Sequence, residues 1–320
     1  MKILVTGGLG FIGSNFIREM LTEKPDCEIV NLDLVTYAGN PANLGEIEND
    51  SRYTFVQGDI CDTACVSRIF SDHSVDAIVH FAAESHVDRS IMDASVFVRT
   101  NVLGTHVLLE GALKNGISRF VHVSTDEVYG STFEGSFSEM DNLNPSSPYS
   151  ASKAGSDLLA RSYWITHGLP VIITRCTNNF GPYQYPEKLI PLFATNLLDG
   201  KKVPVYGTGK NVRDWIYVID HCRAIAFLLK HGVPGEIYNI GSGNELTNLE
   251  ITHSLLAHSG TDESMIEYVQ DRPGHDWRYS LDTTKIRNMG WRPAFDFETA
   301  MEMTVSWYAE NEWWWRPLKQ

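Results

Sequence analysis

The sequence predicts an α/β protein built on a doubly wound parallel sheet, followed by a smaller, mixed α/β part. Two observations indicate this fold class. Through the first half of the 320-residue chain, short apolar and β-branched runs alternate with helix-like amphipathic segments, and this alternation is typical of parallel sheets with crossover helices. Most of the strand-like runs are apolar throughout, as expected where helices cover both faces of a sheet.

The predicted elements follow one another in order along the chain. The candidate strands are residues 3–6, 28–32, 53–56, 77–81, 120–124 and 171–174. The candidate helices between them include residues 14–21, 94–113 and 149–167. In this order the elements form the parallel sheet described above.

The sequence changes in character after about residue 175. Loops become longer and richer in Gly, Pro and aromatic residues, as at 178–191 and 206–214, and helical patterns follow at 220–230 and 248–258. We therefore expect a first domain at 1–175 and a second at 176–320, with some later elements returning to the first. No Ser/Gly linker separates them, so we expect a shared cleft.

The composition excludes several classes of function. The net charge is −14 at pH 7, which disfavours binding to nucleic acid or to an acidic membrane surface, because both need a basic footprint. No apolar run approaches the ~20 residues of a membrane helix, and a strand pattern follows Met1 directly, with no cleavable signal. We therefore expect no nucleic-acid partner and no membrane association.

The five cysteines indicate a reducing compartment. Their number is odd and no CxxC pair occurs, so we expect reduced thiols and a cytoplasmic protein. Cys61 and Cys65 are a conceivable zinc pair, but a second pair of ligands is missing, so we predict no metal site.

A glycine pattern follows the first predicted strand. Gly7, Gly10 and Gly13 form GxxGxxG, which permits a tight turn, close approach to a pyrophosphate and close packing of the next helix. The next strand ends at Asp33, about twenty residues later, where a carboxylate binds ribose hydroxyls and repels a 2′-phosphate. The pattern predicts a Rossmann-type site for NAD rather than NADP. Its further lining residues are Phe11, Ile12, Asp59, Ile60, Phe81, Ala82 and Ala83.

Tyr149 and Lys153 lie four residues apart at the start of a predicted helix, so their side chains share one face. A lysine ammonium beside a phenol favours the phenolate, and we expect the pKa of Tyr149 to lie below its usual value of ~10. Such a group can take the proton of a sugar hydroxyl while hydride leaves the same carbon. The pattern alone is more often a surface pair, but the upstream dinucleotide pattern favours a catalytic role.

Two adjacent carboxylates, Asp126 and Glu127, follow the predicted strand at 120–124. Ligands of open parallel sheets lie at the carboxyl ends of the strands. Oxidation or epimerisation of an alcohol needs no further acid–base pair, whereas a dehydration needs a base beside a ketone and an acid for the leaving hydroxyl. The pair therefore favours dehydration, with a capping role for one carboxylate as the simpler alternative.

These motifs resemble the extended short-chain dehydrogenase/reductases and, more specifically, the family of dTDP-glucose 4,6-dehydratases. The resemblance rests on AAESHVDRS at 82–90, TDEVYG at 125–130, YSASK at 149–153 and NNFGPYQYPEKLIP at 178–191. Shorter strings at 6–14, 174–182, 211–215 and 271–276 add to it, so the resemblance spans nearly the whole chain.

The resemblance implies a reaction and a set of residues. Tyr149, supported by Lys153 and Thr125, would deprotonate the C4 hydroxyl as hydride passes to a tightly held NAD. Glu127 would take the C5 proton, and Asp126 would protonate the leaving C6 hydroxyl. Thr100 and Asn179 would also hold NAD. The implied sugar-nucleotide residues are Ser85, Thr125, Asn178, Lys188, Leu189, Tyr206, Arg213, Asn248, Arg272 and His275.

Several alternatives stay open. A 4-epimerase or decarboxylase would use Tyr149, Lys153 and NAD without the carboxylate pair, and a 4,6-dehydratase could act on another nucleotide sugar. A non-catalytic NAD-sensing protein has no need of the acid–base set. The apolar faces of 94–113 and 149–167 fit either packing within one subunit or the homodimer that the resemblance implies. The downstream sugar pathway is not fixed by the sequence.

Overall fold

The structure is a computed structural model that describes residues 1–271 and 276–319. Its strands are β1 (Lys2–Thr6), β2 (Glu28–Asp33), β3 (Tyr53–Gln57), β4 (Ala77–His80), β5 (Arg119–Thr125), β6 (Val171–Cys176), β7 (Asn178–Phe180), β8 (Val203–Tyr206), β9 (Val212–Tyr217), β10 (Ile237–Ile240), β11 (Glu245–Thr247) and β12 (Ile266–Val269).

Its α-helices are α1 (Phe11–Glu23), α2 (Thr63–Asp72), α3 (Val87–Met92), α4 (Ser95–Phe97), α5 (Thr105–Lys114), α6 (Pro148–His167), α7 (Leu189–Leu198), α8 (Val218–His231), α9 (Asn248–His258), α10 (Thr284–Asn288), α11 (Phe297–Glu310) and α12 (Glu312–Trp315). A π-helical segment spans Val98–Gly104, and 3₁₀ turns span Pro41–Ile47, Asp126–Tyr129, Glu263–Met265 and Arg316–Lys319.

A seven-stranded sheet organises the molecule, in the order β10-β6-β5-β4-β1-β2-β3. Each neighbouring pair in it is parallel. The predicted doubly wound parallel sheet is therefore confirmed. A three-stranded sheet, β11-β9-β7, and a two-stranded sheet, β12-β8, lie in the second half of the chain.

The apolar strands are explained by cores on both faces of this sheet. In β1, Ile3 and Val5 belong to one core, which also contains apolar residues of α1 and α8. Leu4, which points the other way, belongs to a second core with residues of α2, α5 and α6. Alternate residues of one strand therefore fill different cores, so no polar face is left.

A third core lies in the second half of the chain and includes the aromatic tail. Trp314 and Trp315 are buried there with Tyr308, whereas Trp313 is 62% exposed. Helix α8 and strand β10 lie late in the sequence but pack with the large sheet. Among the described residues, no helix is long and apolar enough to cross a membrane.

The structure differs from the sequence patterns in several places. Helix α1 starts at Phe11 rather than at residue 14, because Gly13 packs directly against the backbone of Gly7 and Gly8. The predicted helix 94–113 is divided into α4, a π-helical segment and α5. Strand β10 is not among the predicted strands, since four residues carry little periodicity and its partner β6 is remote in sequence.

Candidate active site

A cavity of about 360 Å³ lies at the carboxyl edge of the large sheet. The ends of parallel strands meet at this edge, where ligands of open α/β sheets bind. The cavity is lined by all the residues predicted for the cofactor: Gly7, Gly10, Phe11, Ile12, Gly13, Asp33, Asp59, Ile60, Phe81, Ala82, Ala83, Thr100, Tyr149, Lys153 and Asn179.

The loop between β1 and α1 has the shape of a phosphate cradle. Gly7 has a φ of 72°, and a Cβ atom there would lie 2.6 Å from the backbone nitrogen of Ala82. A Cβ on Gly13 would overlap the carbonyl oxygen of Gly7. No side chain of the described residues caps the first turn of α1, so its backbone N–H groups and positive dipole end suit an anion. These features fit the pyrophosphate of a dinucleotide.

Asp33, at the end of β2, holds two loops beside this cradle. Its carboxylate accepts hydrogen bonds from the backbone N–H of Leu9 at 2.9 Å and of Val35 at 2.8 Å. Burial raises its pKa, and these two bonds act in the opposite direction. The carboxylate is therefore fixed at the edge of the cavity where the sequence predicts the adenosine ribose.

Tyr149 lies in the first turn of α6. A capping box formed by Ser147 and Ser150 stabilises the start of this helix. Both Tyr149 and Lys153 are buried and line the cavity. The Lys153 ammonium donates to the carbonyl oxygen of Val123 at 2.8 Å.

The predicted pKa shift of Tyr149 is wrong for this chain. Its pKa is raised well above the usual phenol value, first by burial and then by the charge of Glu127. A hydrogen bond with the Thr125 side chain acts in the opposite direction. The desolvation of the buried phenol outweighs the effect expected from the Tyr–Lys spacing.

Asp126 and Glu127 differ in environment although they are adjacent. Asp126 is 3% exposed, and burial followed by the charge of Glu127 raises its pKa well above the usual carboxyl range. Its Oδ2 atom is buried without a hydrogen-bond partner among the described residues. Glu127 is half-buried and lines the same cavity. Burial therefore favours the protonated form of Asp126, while its neighbour Glu127 stays accessible to a ligand.

A second cavity, of about 330 Å³, adjoins the first. Glu127, Asn178 and Lys188 line both cavities. The predicted sugar-nucleotide residues that line the second are Asn178, Lys188, Leu189, Tyr206, Arg213 and Asn248, while Ser85 and Thr125 line the first. The predicted residues Arg272 and His275 lie outside the described residues.

Arg213 is buried at the second cavity and is already held by the protein. Its Nη2 donates to the carbonyl oxygen of Asp276 at 2.9 Å, and its guanidinium lies 4.1 Å from the ring centre of Tyr279. Its charge also lowers the pKa of Asp126. Arg213 thus places a fixed positive charge at the second cavity, close enough to act on Asp126 in the first.

The site also involves residues that the sequence patterns do not single out. Glu187 lines both cavities, and its carboxylate accepts a hydrogen bond from the Tyr37 hydroxyl at 3.0 Å. Asn101 is buried and does not itself line either cavity; it donates to the Ser152 hydroxyl at 2.8 Å and accepts from the backbone N–H of Glu84, a lining residue, at 2.8 Å. Glu187 lies within the string at 178–191, but its contact with a residue 150 positions away has no local signal.

The fold and the site together define an NAD-dependent enzyme class, the extended short-chain dehydrogenase/reductases. The sequence model of the family described as GDP-mannose 4,6 dehydratase matches residues 4–304. Because this match covers most of the chain, the protein belongs to the GDP-mannose 4,6 dehydratase family.

Individual relatives point to one branch of the dehydratases. A dTDP-glucose 4,6-dehydratase of Streptomyces niveus is 55% identical over 100% of this chain and 96% of the relative. Another, of an Actinoplanes species, is 53% identical over 98% of this chain and 100% of the relative. The crystal structure of the dTDP-glucose 4,6-dehydratase of Streptomyces venezuelae, with NAD bound, has a TM-score of 0.96 and 57% identity, covering 99% of this chain and 100% of that chain.

Proposed function

We propose that the protein is a dTDP-glucose 4,6-dehydratase, which converts dTDP-glucose to dTDP-4-keto-6-deoxyglucose and water. The observation that carries this proposal is the carboxylate pair in the cavity of Tyr149. Asp126 is buried with a raised pKa, and Glu127 opens to the same cavity. Relatives of this name, 55% and 53% identical to the chain, support the same reaction.

Residues 1–175 would bind NAD, and residues 176–320 would bind mainly the sugar nucleotide. The glycine loop would take the pyrophosphate, Asp33 the adenosine ribose, and the residues after β3 and β4 the adenine and nicotinamide ends. When bound, NAD⁺ would supply the hydride acceptor for C4 and then the hydride donor for C6, and its positive charge would favour the Tyr149 phenolate. The residues that line the cavity hold this cofactor between turnovers.

The first step depends on Tyr149. Its phenolate takes the proton of the C4 hydroxyl as the C4 hydride departs, which leaves a ketone. Lys153, one helical turn further along α6, adds positive charge that favours the proton-accepting form. The Thr125 hydroxyl, which hydrogen-bonds with Tyr149, orients the phenol.

The carboxylate pair carries out the elimination. The C4 ketone acidifies the C5 hydrogen, which Glu127 removes as a proton. Asp126 donates its proton to the C6 hydroxyl, which leaves as water as the C5–C6 double bond forms. Return of the hydride to C6 and of the proton from Glu127 to C5 would give the 4-keto-6-deoxy sugar. Tyr149 releases the proton that it took from the C4 hydroxyl and Asp126 regains one through solvent, so the net change is the loss of one water.

The second cavity would bind the nucleoside diphosphate. Arg213 suits a phosphate because its planar guanidinium presents several N–H donors. Tyr206, which is 43% exposed, offers a ring on which a pyrimidine base can stack. Ser85, Asn178, Lys188, Leu189 and Asn248 would complete the contacts, as would Arg272 and His275.

We also propose a homodimer formed by α6 and the neighbouring π-helical segment. Large apolar side chains are exposed on both, with Leu158 at 59%, Ile165 at 69% and Leu103 at 46% exposure. Leu158→Glu with Ile165→Glu should give a monomer in light scattering, whereas Val233→Glu, at an exposed apolar position elsewhere, should not. A monomeric wild-type protein would contradict the proposal.

The five free cysteines favour a cytoplasmic location, which cell fractionation would test.

Mass analysis of the product tests the reaction. The purified protein, without added NAD⁺, should convert dTDP-glucose to a product lighter by one water, and should act more slowly on UDP-glucose and GDP-mannose. In deuterated water the product should carry one deuterium at C5. A product inverted at C4 that keeps its C6 hydroxyl would instead identify a 4-epimerase.

A further inference from the structure

Arg175, near the end of β6, links two elements of the site. Its Nε donates to Oδ2 of Asp157 at 2.9 Å, and its Nη1 donates to the hydroxyl of Tyr129 at 2.8 Å. Asp157 lies on α6, one helical turn after Lys153, and Tyr129 ends the 3₁₀ turn that carries the carboxylate pair. One guanidinium thus joins the helix of the redox residues to the turn of the elimination residues.

The link is buried and continues into the sheet. Arg175 and Asp157 are 3% and 1% exposed. The Tyr129 hydroxyl donates to Oδ1 of Asn239 at 2.8 Å, and Asn239 pairs with Arg175 across β10 and β6. His122 of β5 lies 3.4 Å from the other oxygen of Asp157. Charge-assisted bonds in such an interior are short and directional, so they fix the groups that they join.

The proposed reaction needs this kind of fixation. Tyr149 would act at C4, whereas Asp126 and Glu127 would act at C6 and C5 of the same hexose. The two sets lie on different elements, and a displacement of about 1 Å between reacting groups can cost about 100-fold in rate. A connection between the elements therefore determines whether the ketone formed by one set is within reach of the other.

We propose that Arg175, through Asp157 and Tyr129, is a positioning residue that holds the carboxylate turn in register with α6, so that water loss follows C4 oxidation efficiently. The inference rests on the proposed dehydratase function. Arg175 acts here through other residues and needs no contact with the substrate. Its loss should slow the elimination more than the oxidation.

Tyr129→Phe is the mildest test, because it removes one hydroxyl and leaves the ring. In single turnovers of dTDP-glucose by the NAD-loaded protein, NADH absorbance reports C4 oxidation and rapid quench reports the 4-keto-6-deoxy product. We expect product formation to slow about tenfold while NADH appears within about twofold of the wild-type rate. Tyr238→Phe is the matched control, since this buried hydroxyl on β10 accepts from the backbone N–H of Val233 at 3.0 Å.

Arg175→Lys provides a second variant that keeps the positive charge near Asp157 but lacks the guanidinium fork. In this variant too, NADH should form near the wild-type rate while product formation slows. Combining it with Tyr129→Phe should slow product formation little further, because both changes break the same link between α6 and the carboxylate turn. The inference would be overturned if both steps slowed equally, or if the ratio of NADH formation to product formation stayed at its wild-type value. It would also be overturned if Tyr238→Phe slowed product formation relative to NADH formation to the same extent. If the wild-type protein itself yields no 4-keto-6-deoxy product, the proposed function fails instead.

Discussion

The two sides of the cavity are built from different chemical groups, backbone on one side and titratable side chains on the other. The cofactor side is formed largely by backbone: the glycine loop, the start of α1 and the ends of β1 to β4. The acid–base side is formed by side chains whose pKa values burial has shifted, namely Tyr149, Lys153 and Asp126, of which Tyr149 and Lys153 are also predicted to contact the cofactor. Binding of the cofactor therefore depends on the shape of the backbone, whereas proton transfer depends on the desolvation of these side chains.

This difference separates the expected effects of mutation. Changes on the backbone side should release NAD, whereas changes in the carboxylate pair on the side-chain side should stall one chemical step with NAD still bound. A variant that behaves in the opposite way would contradict the division.

Glu127→Gln should have the largest effect on turnover. Loss of a general base costs about 10² to 10⁴ in rate, so we expect kcat to fall by about 10³ while C4 oxidation continues. NADH should then accumulate on the protein after addition of dTDP-glucose, as measured by absorbance. Glu134→Gln, at an exposed position in a loop, is the control. Dehydration at the normal rate would remove Glu127 as the base.

Asp126→Asn should lower kcat by about 10², since an amide cannot supply the acid's proton. The same change should stabilise the fold by about 1 kcal/mol near neutral pH. Burial and Glu127 raise the pKa of Asp126, so the folded chain keeps a proton that the unfolded chain loses.

The sign of this stability effect follows from proton linkage. The penalty that Asp126 imposes is absent below the ordinary carboxyl pKa, grows as pH rises above it, and is complete above the raised pKa. Calorimetry at several pH values should therefore show wild type and Asp126→Asn converging at acid pH and separating as pH rises. A variant less stable than wild type at neutral pH would contradict the assigned environment.

The same division explains how much the sequence predicts. Gly7 is required by a turn, Gly13 by the start of a helix and Asp33 by the end of a strand. Each requirement is local, so the spacing of the residues along the sequence is enough to locate them. The raised pKa of Tyr149 does not follow from its spacing to Lys153, because this pKa depends on burial by residues from several elements. The contact of Arg175 with Tyr129 joins residues 46 positions apart, and such contacts leave no periodic signal.

Gly13→Ala tests the backbone side. A Cβ there would collide with the backbone of Gly7 and Gly8, so the loop must open, and we expect affinity for NAD to fall by at least about tenfold, or ~1.4 kcal/mol. NAD retained after purification, measured by chromatography of the denatured protein, reports the effect. Gly45→Ala is the control, because its Cβ would have open space around it. Full retention of NAD by Gly13→Ala would argue against the cradle.

Tyr206→Ala should have the smallest effect, because this ring lies at the second cavity, away from the cofactor cradle, and is 43% exposed. Loss of a partly solvated stacking contact of about 1 kcal/mol should raise KM about fivefold. Its kcat should stay within about twofold, since the contact is equal in ground and transition states. Tyr268→Ala, on the paired strand β12 and 60% exposed, is the control. A fall in kcat with unchanged KM would mean that the base end of the site also positions the hexose, and the acid–base side would then extend into the second cavity.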